Sequence, residues 1–185
     1  MNLSRLALKN KLNAAYHTVC LRRKNHSANS CIWHLRHHWM CEREALLTQL
    51  KQGSFCFSPS VIRKTYSGDT LECFEAKDAV VLTLVANLLK KHVRKHLCFD
   101  GFHLKGKGGI KGALRCTSRN LKKHRFVVKT DIASYYASIG HPKLLSLLTN
   151  LCVPQYLIDL IQKHLCRGVV RDGVYLPETQ RSIPR

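Results

Sequence analysis

Phe126 to His141 read FVVKTDIASYYASIGH. Phe126, Val127 and Val128 are three β-favouring residues in a row, the mark of a short buried strand, and the apolar run stops at Lys129-Thr130, where one carboxylate, Asp131, follows. The sequence thus predicts a strand that delivers an acid to its own end. Ile132, Ala133, the pair Tyr135-Tyr136 and Ile139 come next, and Gly140, His141 and Pro142 read as a turn into another helix. Two readings of Asp131 compete. As a cap it accepts backbone hydrogen bonds from Ser134 or Tyr135. As a metal ligand it serves a hard cation such as magnesium, which is held by one or two carboxylates together with substrate phosphates. A pair of such ions clamps the attacking and leaving oxygens of a phosphoryl transfer, so one carboxylate is half a site.

Charge narrows the choice of partner. Of 185 residues, 31 are Lys or Arg and 11 are Asp or Glu, for a net charge of +20. A polyanion is the expected partner, nucleic acid first. A membrane surface is second, but no apolar run approaches the ~18 residues of a spanning helix. MNLSRLALKNKLNAAYH lacks the apolar core and small-residue cleavage site of a secretory signal, so a cytoplasmic chain is expected. With 45% hydrophobic residues there is apolar material for a core.

The basic residues concentrate around a glycine-rich segment. Between Lys90 and Lys129 there are 13 Lys or Arg and a single acid, Asp100. Lys90, Lys91, Arg94 and Lys95 suit the negative end of a helix dipole, but the excess runs on through Arg119, Lys122 and Lys123, beyond what a helix end requires. In HLKGKGGIKGALR, residues 103–115, glycines 106, 108, 109 and 112 alternate with Lys105, Lys107 and Lys111. Backbone amides and ammonium groups together suit phosphates. The segment is no P-loop, because Lys107 and Lys111 are each followed by glycine rather than Ser or Thr, and the third glycine falls one place late for GxGxxG. A flexible basic turn between two strands is the plain alternative.

KTDIASYYASIGH, residues 129–141, resembles the first palm motif of reverse transcriptases of the bacterial group II intron and retron-like branch, a strand ending in Asp-Ile followed by two aromatics and Ser-Ile-x-His. HLKGKGGIKGALR resembles that family's fingers hairpin, and DTLECFEAKDAVVLTLVANLL, 69–89, resembles the strand and helix before it. The closing RSIPR resembles the opening of the next palm motif, and order and spacing agree over roughly residues 31–185.

The resemblance implies an α+β fold, right-hand polymerase fingers plus an incomplete palm, with helices packed on short antiparallel strands. Residues 1–28, basic around Arg22-Arg23-Lys24, are an N-terminal arm outside the resemblance, which divides the rest into a fingers region over 29–125 and a partial palm over 126–185. It implies an RNA-directed DNA polymerase whose partners are an RNA template, a DNA or RNA primer and deoxynucleoside triphosphates, with Mg2+ as cofactor. Asp131 and the Ile132 carbonyl would hold the metal. Tyr136 would pack beneath the deoxyribose and exclude a 2′-hydroxyl as a fixed wall; a half-buried packing role is the plain alternative for both tyrosines and the preferred one for Tyr135. Lys105, Lys107, Lys111 and Arg115 would meet the triphosphate or the template backbone. Lys90, Lys91, Arg94, Lys95, Arg119, Lys122 and Lys123 would meet nucleic acid. The Tyr-x-Asp-Asp hairpin that completes the family's metal site does not occur, and Asp159, in a helical pattern, and Asp172, in a turn, are no substitutes. The expectation is a fragment lacking its C-terminal half and unable to polymerise alone. A basic protein that grips RNA or DNA without chemistry is the alternative, since +20 suffices for it.

The remaining pattern sets expectations for the scaffold. Leu3, Leu6, Leu8 and Leu12 fit a short amphipathic helix, and a loose arm fits as well. Ser30 to Leu50 has helical spacing with Trp33, Leu46, Leu47 and Leu50 as core positions and Gly53 as C-cap. Residues 55–59 read as a strand entering a turn, and 61–66 pairs with 70–74 as a hairpin. Ala76 to Leu97 is a helix with Ala79, Leu82, Val85, Ala86 and Leu89 on one face. His141-Pro142 and Pro154 open two more helices, and Val169 to Leu176 is a hairpin about Asp172-Gly173. Nine cysteines without a CxxC pair fit scattered thiols. Cys31, His34, His38 and Cys41 would span about 15 Å on one helix, too far for a single zinc with bonds of ~2.0–2.3 Å, and they match a packed stripe.

Overall fold

The computed structural model describes residues 4–66, 68, 70–97, 101–104, 106–133 and 135–177, the side chains of Lys95, Tyr136 and Ala137 excepted. Helices α1 (Arg5–Arg22), α2 (Cys31–His37) and α3 (Trp39–Gln52) lead to strands β1 (Ser60–Lys64) and β2 (Thr70–Cys73). Then come α4 (Ala76–Val93) with a 3-10 turn at Arg94–His96, α5 (Gly109–Leu121), the short α6 (Tyr135–Ser138), α7 (His141–Asn150) and α8 (Gln155–Leu165). The chain closes on β3 (Val169–Arg171) and β4 (Val174–Leu176). The fold is mixed α and β, as expected, although the sheet is not purely antiparallel: its order is β2-β1-β3-β4, and β1 runs parallel to β3.

The segment expected to be a loose arm or a short helix is a long helix sunk in the core. Ser4 caps it by accepting the Ala7 N–H at 3.2 Å, and Leu8, Leu12, Ala15 and Val19 are all buried. Their spacing of three and four residues gives α1 one apolar stripe, which lies along α4. On α4 the buried stripe is Val80, Val81, Leu84, Val85 and Leu88; Ala86 is exposed and Leu82 half-buried, so the face chosen from sequence is rotated from the observed one. Leu35, Leu46, Leu47, Phe55, Leu148, Leu157 and Ile158 complete a single hydrophobic cluster. Burying a Leu or Val contributes roughly 1.5–3 kcal/mol, so this cluster is the main source of stability.

Several local readings hold. Gly53 takes φ 70° and caps α3, and Ser54 N–H bonds to the Gln49 carbonyl at 3.0 Å. Lys163 of α8 ties down that corner by donating to the carbonyls of Gly53 at 2.6 Å and Phe55 at 3.0 Å. The β1–β2 and β3–β4 hairpins form in register, the second around Asp172 and Gly173, whose φ of 50° and 81° suit its two-residue turn. His141-Pro142 opens α7 and Pro154 caps α8.

Others are corrected. Residues 55–59 form no strand; Phe55 goes into the core instead. The 30–50 helix breaks at His38, so Cys31 and Cys41 sit on different helices. Trp33 stays half-exposed with its indole N–H on the Ser27 carbonyl at 3.0 Å, while Trp39 is buried and stacks on Tyr16 at 3.9 Å. Most consequential, FVV is not a buried strand: Phe126, Val127 and Val128 are 85%, 69% and 84% exposed. A strand needs a neighbour to take its backbone hydrogen bonds, and none of the described strands pairs with this segment.

Polar groups bind the sheet to the helices. Buried Arg167, between α8 and β3, donates to the Glu72 carboxylate of β2 and to the His164 carbonyl, and its guanidinium lies 4.8 Å over the Phe74 ring. Ser60 of β1 donates to the same carboxylate. At the start of α4, buried Asp78 accepts the Ser58 N–H at 2.9 Å through Oδ2, while Oδ1 has no hydrogen-bond partner among the described residues. Burial accordingly raises its pKa to about 6. Burial, followed by the Arg167 charge, lowers that of His164, packed between Phe57 and Phe74, to about 3.

These features predict that Leu12→Ala destabilises the fold by about 2–5 kcal/mol and Arg167→Ala by about 3–5 kcal/mol, both read from urea midpoints. The two titrating groups act in opposite directions. The folded pKa of Asp78 is raised from 3.8, so its contribution is full below about pH 4 and is lost as pH rises to about 6. That of His164 is lowered from 6.5, so its contribution is full above about pH 6.5 and is lost as pH falls toward 3. Asp78→Asn therefore makes stability rise more steeply from pH 4 to 6, and His164→Gln makes it rise less; identical profiles for the two variants would refute the assignment.

Candidate nucleic-acid interface

The glycine-lysine segment is not a hairpin. It is a loop that turns into α5, with Gly106, Gly108 and Gly109 at φ 87°, 87° and 55°. These left-handed values disfavour any side chain, which explains the glycines without a phosphate. Gly112 has a packing reason: a Cβ there would lie 2.9 Å from the Lys107 carbonyl oxygen and 3.2 Å from the Phe102 ring. The signal for the helix was present in the sequence, since Ile110, Leu114, Thr117 and Leu121 recur at helical spacing, but the glycines masked it.

On the neighbouring face of α5, about a third of a turn round from that stripe, stand Lys111, Arg115 and Arg119, continued by Lys122 just past its end. All four are exposed, as is Lys123. Arg119 donates from Nε to the Arg115 carbonyl at 3.4 Å, an interaction that leaves its charge uncompensated. The ion pairs among the described residues involve none of these five cations. Lys107 is half-buried in the loop before α5. Lys90 and Lys91 are exposed on the last turn of α4, Lys90 donating to Asn87 Oδ1 at 3.4 Å, and Arg94 is exposed in the 3-10 turn. Lys105, the side chains of Lys95 and Tyr136, and RSIPR lie outside the described residues.

The basic side chains thus form two groups, one at the C-terminal end of α4 and one along α5. Arg23, central in the basic run near the N-terminus, is engaged in the scaffold: it donates to the Phe74 carbonyl at 3.0 Å. Sequence reasoning also missed Arg167 and Asp78, whose partners Glu72 and Ser58 are distant in the chain and signalled by no local pattern.

Asp131 is exposed, and its Oδ1 accepts the N–H of its neighbour Ile132 at 2.9 Å, a local turn interaction; Ser134, one of the two donors expected for a cap, lies outside the described residues. Ile132 and Tyr135 are exposed. Among the described residues no three acidic, histidine or cysteine side chains gather where a metal ion could be held. One open carboxylate does not amount to a magnesium site, so the residues present do not fit the two-ion arrangement by themselves. No helix of the described residues is long and apolar enough to cross a membrane. No protein-family model and no curated protein matches the chain.

If the α5 face grips phosphates, replacing Lys111, Arg115 and Arg119 together by Ala will weaken binding to single-stranded RNA and flatten log K against log salt by about 0.7 for each phosphate no longer neutralised. Asp131→Asn will leave both affinity and slope unchanged. Fluorescence anisotropy across a salt series reads both.

Proposed function

We propose that the chain binds RNA or DNA through the basic face of α5 and the cationic end of α4, and that it is the fingers and first palm portion of an RNA-directed DNA polymerase. The observation that supports the binding half is the cation row on α5, in a stretch, 106–133, with eight Lys or Arg against the one acid Asp131. Phosphate contacts supply most of the affinity of such a surface and release condensed counterions. The polymerase half rests on the motif resemblance alone, with Asp131 exposed at the place where the family carries a metal-binding carboxylate.

On this reading Asp131 would be one of the carboxylates that hold magnesium, which would supply charge stabilisation to phosphoryl transfer, and the described residues bring no further carboxylate beside it. The 185 residues by themselves then bind without copying. With purified chain, a primed RNA template, deoxynucleoside triphosphates and Mg2+, the expected result is template retention without primer extension. Magnesium-dependent extension that disappears in Asp131→Asn would show that the chain builds a complete site. Absence of any salt-sensitive retention would remove both halves of the proposal.

A further inference from the structure

Cys31, His34, His38 and Cys41, whose spacing predicts a packed stripe, are all exposed, and His37 with them. The helical period breaks at His38, which ends α2 and opens α3, and the break gathers three imidazoles on the surface. The ring centroids of His34 and His38 are 4.3 Å apart and those of His37 and His38 4.6 Å, with the planes tilted by 38° and 58°. The three rings do not converge on a metal position.

The charged and titratable groups on the elements packed around this joint are engaged elsewhere. On α2, Arg36 turns to the Cys20 carbonyl of α1 at 3.4 Å and lies 4.7 Å over the Trp33 ring. On α3, Glu42 pairs with Lys77 of α4 at 3.8 Å, and Arg43 pairs with Glu44, which also holds Arg5 and Lys9. At the end of α1, Arg23 is held on the Phe74 carbonyl and on the Cys31 sulfur at 3.7 Å, and His26 meets the Ser30 hydroxyl at 3.3 Å. Cys31 and Cys41 are unbridged thiols. No carboxylate among the described residues pairs with His34, His37 or His38. His38 Nδ1 lies 3.2 Å from the His34 carbonyl oxygen, which can only accept, so Nδ1 donates and Nε2 is the atom that takes up a second proton.

A partner that answers three clustered imidazolium charges carries closely spaced anions, as a phosphate backbone does. Beside the trio, the Trp33 indole is 37% exposed and fixed by its bond to the Ser27 carbonyl, and an aromatic ring stacks bases of any sequence. An anionic lipid surface has the charge, but a joint made of histidines and cysteines gives it little apolar area to bury. Imidazole changes charge between pH 5 and 8, and a neighbouring anion favours its charged form, so binding here takes up protons. The ion pair of Lys77 with Glu42 sets the joint at the start of α4, about 20 Å along that helix from Lys90.

We propose that the α2–α3 joint is a second nucleic-acid contact, whose His34-His37-His38 trio gains protons as it meets phosphates, so that RNA binding tightens as pH falls. This rests on the nucleic-acid reading and adds to it a site and a proton linkage that the lysines and arginines of α5 do not supply.

Fluorescence anisotropy with a labelled single-stranded RNA, at fixed salt from about pH 8 to about pH 5.5, covers the imidazole range. His92, His96 and His124, near the other basic groups, add their own pH dependence, so the quantity read is the difference between the chain and His34→Gln/His37→Gln/His38→Gln. In that variant the expected loss of affinity is about tenfold at the acid end, the equivalent of one proton taken up over one pH unit, and it shrinks toward the alkaline end. Lys111→Ala/Arg115→Ala/Arg119→Ala instead weakens binding at every pH and keeps the tightening. The imidazole C2–H resonances of the unaltered chain give a reading that needs no variant: near the middle of the imidazole range, RNA moves those of the three histidines toward their charged positions. Equal loss at both ends of the range, an unaltered pH dependence in the histidine variant, or resonances that RNA leaves in place would each overturn the proposal while the nucleic-acid reading stands. The same proton-linked gain with phosphatidylserine vesicles or a polyglutamate peptide, but not with RNA, would also overturn it. RNA that fails to bind at any pH would remove both.

Discussion

The packing of α1 against α4 holds the molecule together. Leu8, Leu12, Ala15 and Val19 on one helix and Val80, Val81, Leu84 and Leu88 on the other are all buried in the same cluster. Neither stripe could stay in water as an isolated helix, because helical propensity alone rarely sustains a helix of this length without an apolar partner. Once α4 is fixed, its N-terminal end positions Asp78 against Ser58, and its C-terminal end projects Lys90, Lys91 and Arg94 into solvent. The scaffold thus carries one of the two basic groups directly.

The sheet is joined to this helical core by charge as well as by apolar packing. Arg167 and Glu72 are distant in sequence, and their ion pair crosses from the end of α8 to β2, with Ser60 of β1 on the same carboxylate. Buried pairs of this kind are weak evidence for net stability, yet removing one partner strands the other without water. The pair therefore acts as a constraint on where the parallel β1–β3 pairing can form, and His164 and Phe74 enclose it in apolar surroundings.

What could be read from the sequence follows a physical division. Local chemistry was legible: Gly53 as a C-cap, the Asp172-Gly173 turn, the prolines that open α7 and α8, and the existence of α4, though not the face it buries. What depends on distant partners was not. FVV has strand composition, but a strand exists only beside another strand, and none of those described lies there. The glycines before α5 favoured a turn and hid a helical period that begins immediately after them. In α1 the buried stripe includes Ala15 and Val19, which a search for leucines alone passes over. Of the candidate site, the cationic character of the α4–α5 region could be read directly, whereas the two-faced geometry of α5 and the turn interaction of Asp131 emerge only in three dimensions.

The fold thus separates a packed core from an unburied, strongly cationic stretch, and the central claim is that this stretch is where nucleic acid sits. Hydrogen exchange of the whole chain, with and without a saturating single-stranded RNA, tests it most directly. The account predicts that added protection concentrates in residues 107–123 and at the end of α4, and that it fades with added salt. Protection confined to α1–α3 and the sheet, or unaffected by salt, would contradict it.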